Sequence, residues 1–185
     1  MAASRRVVLK GVALSALVFT VDGVDVALSP RQAWAEAVPL KVLTSDERDA
    51  LEALGETLLP GAREAGIVHF VDHQLGVPPG EALLIARLVN VAPPYVNFYR
   101  AGLKGLDEAS LKAHGAKFAA LTPEQRHAFV DQMRQRPPDG WSGPGSPFFY
   151  YVTRNDAVDV VYGTEKGFEA LSIPYMPHIP PVETW

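Results

Sequence analysis

Clusters of proline and glycine cut this chain into short pieces, and they limit its fold more than any other feature. Pro60-Gly61, Gly76-Val77-Pro78-Pro79-Gly80 and Pro93-Pro94 are three such breaks. Residues 136–147 add a fourth, with four prolines and three glycines. Proline lacks an amide donor and clashes with the preceding turn, while glycine weakens any regular element. Each cluster therefore ends the segment before it. Between the breaks, apolar residues recur at helical spacing, and no stretch alternates apolar and polar residues long enough to predict a strand. The expected fold is all-α. It comprises a small irregular domain of about five to six helices with an extended, proline-rich C-terminal tail.

Thr44-Ser45-Asp46-Glu47 has the form of a capping box, and Ala50, Leu51, Leu54, Thr57 and Leu58 follow at helical spacing. Ile67 to Leu75 predicts a second helix, with Ile67, Phe70, Val71 and Leu75 on one face. A third is expected over Glu81 to Val91, with Leu84, Leu88 and Val91 as apolar positions. Tyr95 to Ala116 reads as a long helix with Phe98, Leu103, Leu106 and Leu111 inward, although Gly102 and Gly105 weaken it. Thr122-Pro123-Glu124-Gln125 is a second clear helix start, with Phe129, Val130 and Met133 as its core face. Phe148 to Tyr162 is expected to be the last helix. The tail from Ser172 to Trp185 holds four prolines and is expected to be extended.

At the other end, Arg5-Arg6 precedes the apolar run Gly11 to Val21, which reads as a twin-arginine export signal. The run is too short to span a bilayer, which takes roughly 20 apolar residues, and Asp22 and Asp25 interrupt it. Ala33-Trp34-Ala35 has the small-x-small pattern a signal peptidase reads, so cleavage is expected before Glu36. This divides the chain into a signal, 1–35, and a helical domain, 36–185. It also predicts a periplasmic location, and engagement of the twin-arginine translocase during export. That route carries proteins already folded, usually around a cofactor, yet nothing downstream looks like a cofactor site.

Residues 1–35 hold four of the chain's 17 basic residues and two of its 21 acidic ones. The remainder therefore carries 13 basic against 19 acidic residues, which argues against a nucleic-acid partner. There is no cysteine, so disulfides, thiolate zinc sites and iron–sulfur ligation are excluded within this chain.

His69-Phe70-Val71-Asp72-His73 is the sharpest chemical candidate. Two histidines at i and i+4 share a helix face and can grip a metal. Metalloprotease signatures place Glu between the histidines, where this chain has Asp72, and no spacing points to a third ligand. The favoured expectation is an exposed helix face carrying ordinary surface groups. A metal-dependent hydrolase built on His69 and His73 is the first rival reading. The glycines around Trp141-Ser142-Gly143 have no preceding strand and no P-loop lysine, and no serine sits in a nucleophile elbow. Catalytic and cofactor-binding residues are therefore expected to be none. Phe148, Phe149, Tyr151 and Tyr162 put aromatics all round the last helix, and Tyr175 and Trp185 end the tail. Surplus aromatics of this kind predict a partner interface. A free-standing periplasmic binding module is the second rival, and it requires those aromatics to be buried.

Taken together, the pieces resemble the gluconate 2-dehydrogenase subunit 3 family from about Leu43 to Pro174. The matching stretches are Leu43 to Arg48, Leu58-Leu59-Pro60-Gly61, Ala65-Gly66-Ile67 with Phe70-Val71-Asp72, and Tyr99 to Leu103. Phe118 to Glu124 follows, then Phe148-Phe149 through Val152-Thr153-Arg154 to Tyr162-Gly163. The resemblance implies a non-catalytic small subunit of a membrane-linked, FAD-dependent dehydrogenase of sugars or sugar acids. It implies a large GMC-type flavoprotein partner that holds the FAD, often with a multihaem cytochrome c subunit. In that setting the small subunit acts as an escort. It binds the folded flavoprotein and lends it the signal at Arg5 and Arg6. Thr164 to Phe168 departs from the glycine-rich and aromatic continuation common in the family.

Overall fold

The computed structural model describes residues 16–21 and 23–174. Arg5, Arg6, Tyr175 and Trp185 lie outside the described residues. The architecture is mostly helical, as predicted. A hairpin, β1 (Leu17–Val21) and β2 (Val24–Leu28), leads into α1 (Pro30–Ala35). Then come α2 (Ser45–Leu58), α3 (Ala62–Ala65), α4 (Ile67–Gly76), α5 (Ile85–Leu88) and α6 (Tyr95–His114). A 3-10 turn (Phe118–Ala120) precedes α7 (Pro123–Gln135), α8 (Ser146–Tyr162) and α9 (Glu165–Ala170). Among the described residues, no helix is long and apolar enough to cross a membrane.

Both predicted capping boxes form. The Thr44 hydroxyl accepts the Glu47 amide at 3.3 Å, and the Glu47 carboxylate accepts the Thr44 amide at 2.8 Å. Thr122 and Gln125 repeat the exchange at the start of α7. Each box satisfies donors that would otherwise be orphaned, and a cap is worth about 1 kcal/mol. Two helices organise the packing. α2 buries Ala50, Leu51, Ala53 and Leu54 against α3, α4, α6, α7 and α8. α8 lies against α3, α4, α5, α7 and α9 as well.

The long helix α6 runs unbroken through both of its glycines, and the reason is close approach. A Cβ at Gly102 would overlap the ring of Phe149, and one at Gly105 would overlap the Ser142 carbonyl. Phe149 is fully buried there, its ring 5.6 Å from that of Phe98 and 6.1 Å from that of Trp141. Gly102→Ala gains helix propensity of about 1 kcal/mol but forces Phe149 out of its slot, which costs about 3 kcal/mol. The clash should win. A net loss of about 2 kcal/mol is expected in urea unfolding followed by far-UV circular dichroism; an unchanged midpoint would refute the packing argument.

Four expectations are corrected. First, Leu17–Val21 and Val24–Leu28 form an antiparallel hairpin, with Phe19 opposite Val26 and Val21 opposite Val24. Leu17, Phe19 and Leu28 are buried in the core, so much of the predicted apolar run is a strand. Second, the helix expected over Glu81 to Val91 is reduced to the single turn Ile85–Leu88. The Gln74 side chain takes the Leu83 amide at 2.8 Å and the Asp156 carboxylate takes the Ile85 amide at 3.0 Å. Those amides are thereby removed from any helical ladder. Third, α8 is not the last helix, because Thr164 caps α9 through the Gly167 amide at 3.1 Å. Fourth, Leu111, expected inside, is exposed.

Candidate functional site: the α4 clamp and the outer face of α8

The His-Asp-His motif sits on α4, whose N-terminus follows the left-handed Gly66. Contrary to the expected exposed face, His69 and Asp72 are buried. All three side chains hold backbone of the preceding segment. His69 Nε2 lies 3.0 Å from the Val38 carbonyl, and His73 Nε2 lies 3.1 Å from the Val18 carbonyl in β1. A carbonyl only accepts, so both rings donate from Nε2. The Asp72 carboxylate accepts three successive amides, those of Lys41, Val42 and Leu43, each at 2.8 Å. The i, i+4 spacing thus serves as a clamp along 26 residues of chain.

Burial is the main cause that pushes the pKa of both imidazoles below the ordinary histidine value, and the carbonyl bonds oppose it. Neutral rings that donate from Nε2 leave Nδ1 as a bare acceptor. In His69 that atom is buried without a partner, whereas in His73 it is 3.4 Å from Nε2 of the Gln74 side chain. Among the described residues, no three His, Asp or Glu side chains come together as a metal-holding group.

The predicted interface aromatics divide between the core and the surface. Phe149 is core, which removes it from any contact surface. Phe148 is 39% exposed and Tyr151 50% exposed, while Tyr162 is half-buried. α8 is anchored below them. Pro147 opens it, and the Ser146 hydroxyl donates to the Met133 carbonyl of α7 at 2.9 Å. Phe148 also packs edge-on against Phe98, with ring centroids 5.7 Å apart. The ring is therefore held in place while part of it faces solvent.

Sequence reasoning missed two members of the exposed apolar set, Leu83 and Leu88, the latter 68% exposed. Both belong to the segment around α5, which packs on α8. Their helical spacing made Leu88 look like core, and only the truncation of that helix turns it outward. Beneath, Asp156 of α8 accepts the Ile85 amide and the Tyr99 hydroxyl, tying α5 and α6 to the same buried point.

The family model described as gluconate 2-dehydrogenase subunit 3 matches residues 45–180. No curated protein and no solved structure matches the chain. The matched span covers most of the chain, from the first helix of the helical core through α9. The chain belongs to the gluconate 2-dehydrogenase subunit 3 family.

Proposed function

We propose that this chain is the non-catalytic small subunit of a periplasmic, FAD-dependent dehydrogenase of sugars or sugar acids, and that it escorts the catalytic subunit through export. Family membership makes it a subunit of a gluconate 2-dehydrogenase type of complex. The single observation that carries the finer reading is that such a subunit begins with Arg5-Arg6 ahead of an apolar stretch. In this reading the twin-arginine translocase reads that pair. The large GMC-type flavoprotein holds the FAD and does the chemistry, and it travels as the folded passenger. A multihaem cytochrome c subunit passes electrons to the membrane. Phe148 and Tyr151, fixed on α8 and partly exposed, suit the docking of a large folded neighbour, because rigid aromatics give contact area at small entropic cost.

Two measurements test this. A tagged copy drawn from periplasmic extract is expected to bring down a large protein with a flavin absorption spectrum. A lone, colourless chain would overturn the subunit reading. Replacing Arg5 and Arg6 together with lysine is expected to leave both this chain and the flavoprotein in the cytoplasm, read by fractionation and dehydrogenase activity. If the flavoprotein still reached the periplasm, the escort role would be wrong.

A further inference from the structure

We infer that residues 17–38 are a permanent part of the folded protein, and that the bond after Ala35 stays uncut in it. The inference does not depend on the export route, since it concerns how the chain folds. Four separate observations tie this segment down. Leu17, Phe19, Leu28 and Ala33 are buried with the core. His73 of α4 donates to the Val18 carbonyl, and Lys41 Nζ donates to the Thr20 hydroxyl at 2.8 Å. The Phe19 ring also packs against His73, with centroids 5.2 Å apart. Finally, the Pro30 carbonyl occupies the space a Cβ would take at Gly66, so α1 seats directly on the glycine between α3 and α4. Gly66 has φ +84, which favours glycine in any case; its bare face then serves as the seat for α1.

The small-x-small residues are in the wrong state for a peptidase. Proteases take substrate as an extended strand, which pairs its backbone with the enzyme. Ala33 is fully buried, and Ala33 to Ala35 are helical. α1 has its own capping box between Ser29 and Gln32 and a proline at its first turn. Its end is closed by the Glu36 amide on the Gln32 carbonyl at 2.9 Å. Cutting after Ala35 requires α1 to unwind and leave α3 and α4, against which it packs. Four of the clamp's contacts, one through His69 and three through Asp72, lie beyond residue 35, but the His73 contact with Val18 has meaning only if the hairpin remains. The motif that looks like a metal grip therefore has a different use, holding the leader-proximal segment on the domain.

The first test reads the N-terminal residue of the protein recovered from the periplasm, by intact mass on a C-terminally tagged full chain. A first residue at or ahead of Leu17 is expected. A first residue beyond Leu17 in a folded protein overturns the inference. The second test needs no export. Trypsin cleavage at Arg31 is timed on the purified full chain, on His73→Ala and on Phe19→Asp. The wild-type bond is expected to be cut at least about tenfold more slowly than in Phe19→Asp, and about threefold more slowly than in His73→Ala, as local opening governs such cutting. Phe19→Asp risks general unfolding; His73→Ala leaves the buried aromatics in place and keeps the comparison decisive. Equal rates in all three would overturn the inference. If the chain stays in the cytoplasm, the export proposal fails and the trypsin comparison alone decides this one.

Discussion

Asp72→Ala is expected to destabilise the protein by about 4 kcal/mol, among the largest effects of any single polar substitution here. The carboxylate is buried and accepts the amides of Lys41, Val42 and Leu43. Those amides belong to a bend over residues 41–43 that lies outside any helix or strand, and the Thr44 capping box begins directly after them. A hydrogen bond to a charged group contributes about 1.5–3 kcal/mol, and an orphaned buried amide costs a similar amount. The three effects do not add in full, because the Lys41 end is part-buried and admits water. For a chain of this size the loss corresponds to a fall of roughly 10 °C in melting temperature. Asp72→Asn keeps one acceptor oxygen and no charge, so about half the loss is expected. Thermal unfolding by circular dichroism reads both. A loss below about 1 kcal/mol for the alanine variant would show that the clamp does not hold the lead-in.

The same residue shows where sequence reasoning reaches its limit. Periodicity places His69, Asp72 and His73 on one side of a helix, and that is correct. It cannot say what lies opposite, and a partner 30 residues earlier in the chain leaves no local signal. The well-read elements are those whose determinants are local. The capping boxes at Thr44 and Thr122, and the breaks at Pro60-Gly61 and Pro93-Pro94, act within a few residues. α5 fails for the opposite reason, since the carboxylate that captures the Ile85 amide is 71 residues away. The hairpin was hidden by composition. Leu17, Val18, Phe19 and Val21 are apolar on both faces of β1, so no alternation marks a strand, even though Val18 is exposed. On α8, the spacing of aromatics shows that some must face out; that Phe149 is core and Phe148 is not depends on the gap left by Gly102.

That buried junction on α8 leads to the second large effect, a pH dependence carried by Asp156. Burial pushes its carboxyl up to about 7, while the bonds from Tyr99 and the Ile85 amide pull the other way and the Asp159 charge adds to the rise. Between pH 4 and pH 7 the folded protein thus holds a proton that the unfolded chain, at an ordinary 3.8, has released. Stability from this group is fully present below the unfolded value and is lost as pH rises through the folded one. Over roughly three pH units at 1.36 kcal/mol each, the loss is about 4 kcal/mol. Other acids contribute slopes of their own, so the comparison is with Asp156→Asn, which has nearly the same shape and cannot ionise. The stability advantage of the wild type over the variant is expected to shrink by about 4 kcal/mol from pH 4 to pH 7.5. A constant difference across that range would mean that Asp156 titrates normally. Tyr99 is pushed well above its usual value, mainly by burial, and remains a donor throughout. Because Asp156 holds the amide that starts α5, its ionisation acts on the segment that carries the exposed Leu88. Although the charged carboxylate is the better acceptor for the Ile85 amide, the stability lost on burying that charge makes opening easier, so hydrogen exchange at this amide should quicken over the same pH interval by more than the intrinsic rate, and in the wild type only.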